Sequence, residues 1–196
     1  MPTSTENADP LSPETAALAA AVLEISRFVG DAAVPAPRWY ALLRSAELLA
    51  QSPALASLLG DEAAAAMADD PLHLTSVELE ANPETSPPGA NHDADRGADD
   101  ASVDPHEATA SVLWPAEAVG GAVACELPAG SWTAPGAANS TGLDPHAPLR
   151  ATVGVLVDGT RWTVLRTPGA EDAVMGEALL PELTEALAAN FADAAD

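Results

Sequence analysis

A chain of 196 residues has room for one domain with a proper hydrophobic core, and two full domains would be crowded. Thirty acidic residues against seven basic ones leave a net charge of -23, a field that repels phosphate backbones and anionic headgroups and so argues against nucleic-acid binding and membrane-surface roles. Cys125 is the only cysteine, which excludes an intramolecular disulfide and a four-thiolate zinc centre.

The opening stretch MPTSTENADP has neither a basic region nor an apolar run, which argues against a secretion signal. No apolar segment approaches the roughly eighteen residues of a spanning helix, and a cytoplasmic location is expected. All seven basic residues are Arg, which with the abundant Ala and Pro suggests GC-rich coding. Residues 1–10 read as a disordered N-terminus ahead of a single α+β domain over 11–196.

The first predicted helix opens at SPETAALAAAVLEISRFVGD. Ser12 suits the N-cap, Pro13 the first helical position, and Glu14 the positive end of the helix dipole. Leu18, Val22, Ile25 and Val29 recur at helical spacing, with Glu24, Arg27 and Asp31 on the other side. In PRWYALLRSAELLAQSPALASLLG a second helix is expected, with Trp39, Leu42, Leu43, Ala46 and Leu49 on its apolar side. Ser52-Pro53 restarts a shorter helix that closes at Gly60, and DEAAAAMADD adds a weakly anchored turn or two.

Charge then concentrates. The span 61–107 carries thirteen acidic residues and one Arg, about half the net charge in a quarter of the chain. Within it, 82–103 holds almost nothing that can be buried and reads as an acidic, disordered insertion within the domain.

Beyond this the period changes. VGGAVACEL reads as a strand, with Gly120-Gly121 taken as a bend or bulge rather than a phosphate cradle. RATVGVLVDGTRWTVLR reads as a hairpin with a two-residue Asp158-Gly159 turn. In that register Val157 faces Thr160, Val155 faces Trp162 and Val153 faces Val164. The three valines then share one dry surface with Trp162, roofed by a last helix that carries Leu180, Leu183, Leu187 and Phe191 at helical spacing. The expected fold is α+β, with N-terminal helices and a C-terminal helix packed on a small antiparallel sheet.

Reactive constellations are hard to find. His106 and His146 share an Asp-Pro-His frame that reads as a turn signal, since neither has the close second ligand of a metal motif. His92 sits among carboxylates of the acidic insertion, and His73 reads as an ordinary polar loop residue. Cys125 follows an alternating apolar run, where a cysteine is usually a small buried hydrophobe. No nucleophile-elbow, Walker or dinucleotide glycine motif occurs. No catalytic residue, metal ligand or cofactor is therefore assigned. Arg150, Arg161 and Arg166 cluster on the hairpin and are expected to pair mainly with acids of the same molecule. Trp162 and Trp114 are read as packing residues, and Trp132 as packing with an exposed contact role as the lesser alternative.

The segments PRWYALLRSAELLAQSPALASLLG, LTSVELE, WPAEAVGGAVACE, GVLVDGTRWTVLR and LLPELTEALAANFAD, in that order, resemble an uncharacterised family of small acidic actinobacterial proteins, over most of the chain from Leu18 to Asp193. The Trp-Pro followed by Val-x-Gly and the Asp-Gly hairpin carry the likeness. Where this chain has Leu79, Leu127 and Val157, that family more often has Gln, Arg and Arg. The resemblance implies a cytosolic protein with no assigned activity, cofactor or catalytic residue. The leading expectation is a non-catalytic interaction or scaffold-type protein with an unidentified protein partner. The alternative is a small-molecule-binding protein or enzyme of unfamiliar design, using a groove between sheet and helices with Trp114, Arg161 and Arg166 as contacts. Homodimerisation through the hairpin or its neighbouring strand is compatible with both.

Overall fold

The computed structural model describes residues 10–31, 33–80, 104–132, 146–170, 172–177 and 179–194, apart from the side chains of Pro53 and of the last residues of the final helix. The expected disordered segments, 1–10 except Pro10 and 82–103, lie outside the described residues, as does His92.

Helix α1 (Pro13–Val29) begins as its caps dictate. The Ser12 hydroxyl accepts the Thr15 N–H at 3.1 Å, and Gly30, with φ 61°, closes the far end through an N–H to Ser26 O bond of 3.1 Å. The chain then departs from expectation. Residues Arg38–Arg44 form strand β1 rather than the start of a helix, followed by three short helices, α2 (Ser45–Gln51), α3 (Pro53–Leu59) and α4 (Asp61–Asp69). WYAL is buried on both faces of the sheet, so it carries no period, and a continuous apolar run of that length does not distinguish strand from helix. Of the residues assigned to a second apolar helical stripe, Trp39 and Leu42 now point to opposite sides of a sheet.

Strand β2 (Leu74–Leu79), helix α5 (Pro105–Thr109), strands β3 (Gly120–Pro128), β4 (Pro148–Leu156), β5 (Arg161–Arg166) and β6 (Ala173–Gly176), and helix α6 (Pro181–Ala194) complete the order. The strands form one antiparallel sheet in the sequence β2-β1-β3-β4-β5-β6. The hairpin strands β4 and β5 lie inside it, so its own strands offer no free edge for dimerisation; β2 and β6 are the edges.

Both faces are covered. On one, Leu18, Val22 and Ile25 of α1 pack on Tyr40, Leu42, Ala122, Ala124, Leu156, Trp162 and Val164. On the other, Leu180, Leu183 and Leu187 pack on Trp39, Val123, Cys125, Leu149, Ala151, Val153, Val155 and Leu165. The fold is α+β, with the sheet held between α1 and α6.

The hairpin register differs by one residue from the expected one. Leu156 N–H donates to Thr160 O and Gly159 N–H to Leu156 O, each at 2.9 Å, so the loop is Val157–Gly159, three residues with Gly159 at φ 89°. Trp162 therefore pairs with Gly154 and Val155 with Arg161. A one-residue slip exchanges the faces of one arm relative to the other. Val153 and Val155 remain under α6 as expected, Trp162 lies under α1, and Val157 is 63% exposed.

Gly120 and Gly121 are neither bend nor bulge, being paired residue for residue with both β1 and β4. Space explains Gly121: a Cβ there would stand 2.6 Å from the Trp114 ring. Gly121→Ala is expected to cost about 1–3 kcal/mol by overpacking. Denaturant unfolding reads that cost, and a shift in tryptophan emission reports the displaced indole.

Candidate functional site

The structure does not bring Trp114, Arg161 and Arg166 together. Trp114 is half-buried on the α6 side. Its ring stands 5.3 Å from that of Phe191, and its Nε1–H donates to Asn190 Oδ1 at 2.6 Å, so it pins α6 to the sheet. Arg161 and Arg166 are five positions apart on one strand and so point to opposite faces. Arg166 reaches Asp31, at 3.9 Å, beyond the C-terminus of α1. Arg161 is exposed and has no ion pair among the described residues. It lines a cavity of about 250 Å³ with Thr15, Gly159, Thr160, Glu177, Pro181 and Thr184.

Arg150 carries most of the internal pairing expected of the hairpin arginines. Its Nη1 donates to Gly30 O at 2.6 Å and its Nη2 to Asp31 O at 2.8 Å, and the guanidinium lies 3.5 Å from Asp31 Oδ1 and 3.7 Å from Glu126 Oε2. A cation on the last carbonyls of α1 complements the helix dipole and ties that helix to β4.

The histidines divide similarly. Asp104 Oδ1 accepts the His106 N–H at 2.9 Å as the N-cap of α5, which is the turn reading of the Asp-Pro-His frame. His73 is less ordinary than its sequence context suggests. Its Nδ1 lies 2.7 Å from Ser45 Oγ, which lies 2.6 Å from Thr75 Oγ1, while the Ser45 N–H donates to His73 O at 3.0 Å. The Ser45 side chain is buried, so this trio acts as a polar staple between the start of α2 and the start of β2 rather than as a presented nucleophile. Ser45 and His73 are 28 positions apart, and only the β1–β2 pairing brings them together. Among the described residues no group of three His, Cys, Asp or Glu side chains is placed to hold a metal ion.

Two surface features stand out. The first is a cavity of about 270 Å³ between α1 and the β1–β2 edge, lined by Glu24, Ile25, Phe28, Tyr40, Ser76 and Glu78. Tyr40 and Glu78 are partners across the strands. Beside them Arg38 donates from Nε to Glu78 Oε1 and from Nη2 to Glu78 Oε2, both at 2.7 Å, in a fork-on-carboxylate pair. The same guanidinium lies 5.5 Å from the Phe28 ring centroid and 5.8 Å from that of Tyr40. Hydrogen bonding to Glu78 raises the Arg38 pKa, and the reciprocal bond lowers that of Glu78. Tyr40 is buried and its phenol is pushed up, first by burial and then by the Glu78 charge. The Tyr40 hydroxyl is shut off from solvent with no hydrogen-bond partner among the described residues. Phe28, by contrast, is 70% exposed.

The second feature is α3. Leu55, Leu58 and Leu59 stand at i, i+3 and i+4, hence on one face, and all three are exposed, Leu58 at 83%. The neighbouring α4 has no buried residue. Together with α2 these helices form an arm connecting β1 to β2, the edge strand.

An α+β protein with a six-stranded antiparallel sheet between two main helices, and with no convergent set of reactive groups among its described residues, is the class so defined. A family model described as PPA1309-like protein matches residues 18–192, and the chain belongs to that family. Comparison with curated proteins finds no match, and neither does comparison with solved structures. Among the described residues no helix is long and apolar enough to cross a membrane.

Proposed function

We propose that this protein is a non-catalytic interaction protein of the actinobacterial cytoplasm, which docks through α3 onto an apolar groove of another protein. The observation that carries the reading is the outward-facing set Leu55, Leu58 and Leu59. Helical leucines at that spacing are the anchors a groove accepts, and clustered apolar side chains of this size on a surface mark an interaction site. The net charge of -23 disfavours nucleic acid as the partner, and it disfavours a second copy of the same chain.

A photo-crosslinker in place of Leu58 tests this directly, together with quantitative capture from the native cytosol. The pair Leu55→Asp with Leu58→Asp should preserve the fold with only a modest fall in unfolding midpoint, because Leu58 is largely exposed and Leu55 about one-third so. Capture of the protein crosslinked at 58 should fall about tenfold or more, the scale of losing central apolar anchors. Equal recovery of that protein by both versions sinks the proposal.

A further inference from the structure

We propose that the cavity between α1 and the β1–β2 edge is a binding site for a primary alkylammonium group, with Glu24, Tyr40 and Ser76 as the acceptors and Ile25 and Phe28 as the bed for its alkyl stem. The site is independent of α3.

Its acceptor set is unusual for a folded surface. Tyr40 lines the cavity, is itself buried, and leaves its hydroxyl without a partner among the described residues. A buried phenol in that condition is costly unless something at the site bonds to it. The side chains of Glu24 and Ser76, which line the same cavity, also have no hydrogen bond or ion pair among the described residues. Glu78 is different, since both its oxygens are taken by Arg38.

The cavity therefore offers one unpaired carboxylate and the Ser76 hydroxyl, with the orphaned Tyr40 hydroxyl closed off behind its wall. An –NH₃⁺ group has three donors and no acceptor, which matches that set in number and sign. A divalent metal would find only one free carboxylate, too little charge for a hard cation. An anion would meet the unpaired Glu24 while the one guanidinium nearby is already neutralised. The overall negative field also raises the local concentration of cations. Ile25 and exposed Phe28 supply apolar contact for methylene groups, and about 270 Å³ accommodates a short chain.

The chain has a single tyrosine, so tyrosine labelled with ¹³C at Cζ gives one resonance, reporting on Tyr40 alone. Titration with n-butylammonium chloride is expected to shift that resonance saturably, with half-saturation on the order of 1 mM for so small a ligand. Sodium chloride at matched ionic strength, n-butanol and butyrate should not. Glu24→Gln, at an exposed position, should weaken binding about tenfold, as loss of a charge-assisted bond does. Tyr40→Phe should do likewise, read from the Ser76 amide. Nα-acetyl-lysine methylamide, run alongside, distinguishes a lysine side chain from a free amine as the source, and saturable binding of either supports the site. The proposal is overturned by the absence of a saturable shift, by an equal response to butanol or sodium chloride, or by unchanged affinity in Glu24→Gln.

Discussion

Leu18→Ala and Leu187→Ala should each lower unfolding stability by about 2–5 kcal/mol, the range for truncating a fully buried leucine. The two residues lie on opposite sides of the sheet, and each is wholly buried, Leu18 among the α1 contacts and Leu187 among those of α6. Comparable losses are the expected signature of a sheet with two dry faces. Val157→Ala and Leu58→Ala, both exposed, should change stability by no more than about 0.5 kcal/mol. Urea denaturation of the four variants decides the matter, with midpoints read at constant slope. A large cost for Val157→Ala would restore the two-residue hairpin turn, and a negligible cost for Leu18→Ala would remove α1 from the core. The first result would move Trp162 to the α6 face, and the second would remove one of the three layers.

The same residues show how much of this fold was legible beforehand. Helices α1 and α6 were, because each has one apolar stripe and a polar remainder, and α1 also carries its cap residues in the expected places. Strands β4 and β5 were legible from β-branched and aromatic content, and β3 from its apolar run up to Cys125. Strand β1 was not, since burial on both faces erases the alternation that identifies a strand. Edge strands β2 and β6 are short and half exposed, which leaves little hydrophobic signal. The hairpin register turned on a single residue, because Asp158-Gly159 suits both a two-residue turn and a three-residue loop that ends in a left-handed glycine.

The candidate site was largely illegible for a related reason. Arg38 and Glu78 are 40 positions apart, and Tyr40 meets Glu78 only because β1 pairs with β2, the two elements least visible in sequence. The cluster of hairpin arginines, by contrast, was visible, and two of the three pair with acids of the same molecule as expected. Arg150 and Arg166 close the end of α1 against β4 and β5, and only Arg161 faces solvent without a carboxylate at ion-pair distance among the described residues.

Above pH 9 the protein should lose stability, by about 3 kcal/mol between pH 9 and 12 from one thiol. Cys125 lies in β3 under α6, and burial pushes its pKa from 9.0 up to about 12. A group whose folded pKa is raised contributes stability that is intact below its unfolded value and disappears as pH climbs through the folded one. The unfolded chain ionises first, near pH 9, and gains free energy that the folded chain gains only near pH 12. Below pH 9 this contribution is flat. Tyr40, raised by burial from 10.0, adds a loss of the same sign beginning about one pH unit higher. Unfolding free energies measured in urea at pH 8, 10 and 11 should therefore fall progressively. Cys125→Ala should be less stable at pH 8 yet show a shallower alkaline slope, and Tyr40→Phe should remove much of what remains. At pH 8 the native thiol should react with a disulfide reagent only as fast as the protein opens, because the thiolate is the nucleophile and burial suppresses it. Rapid stoichiometric labelling of the folded protein, or an alkaline slope unchanged by Cys125→Ala, would place Cys125 at the surface and contradict the packing of α6 over β3.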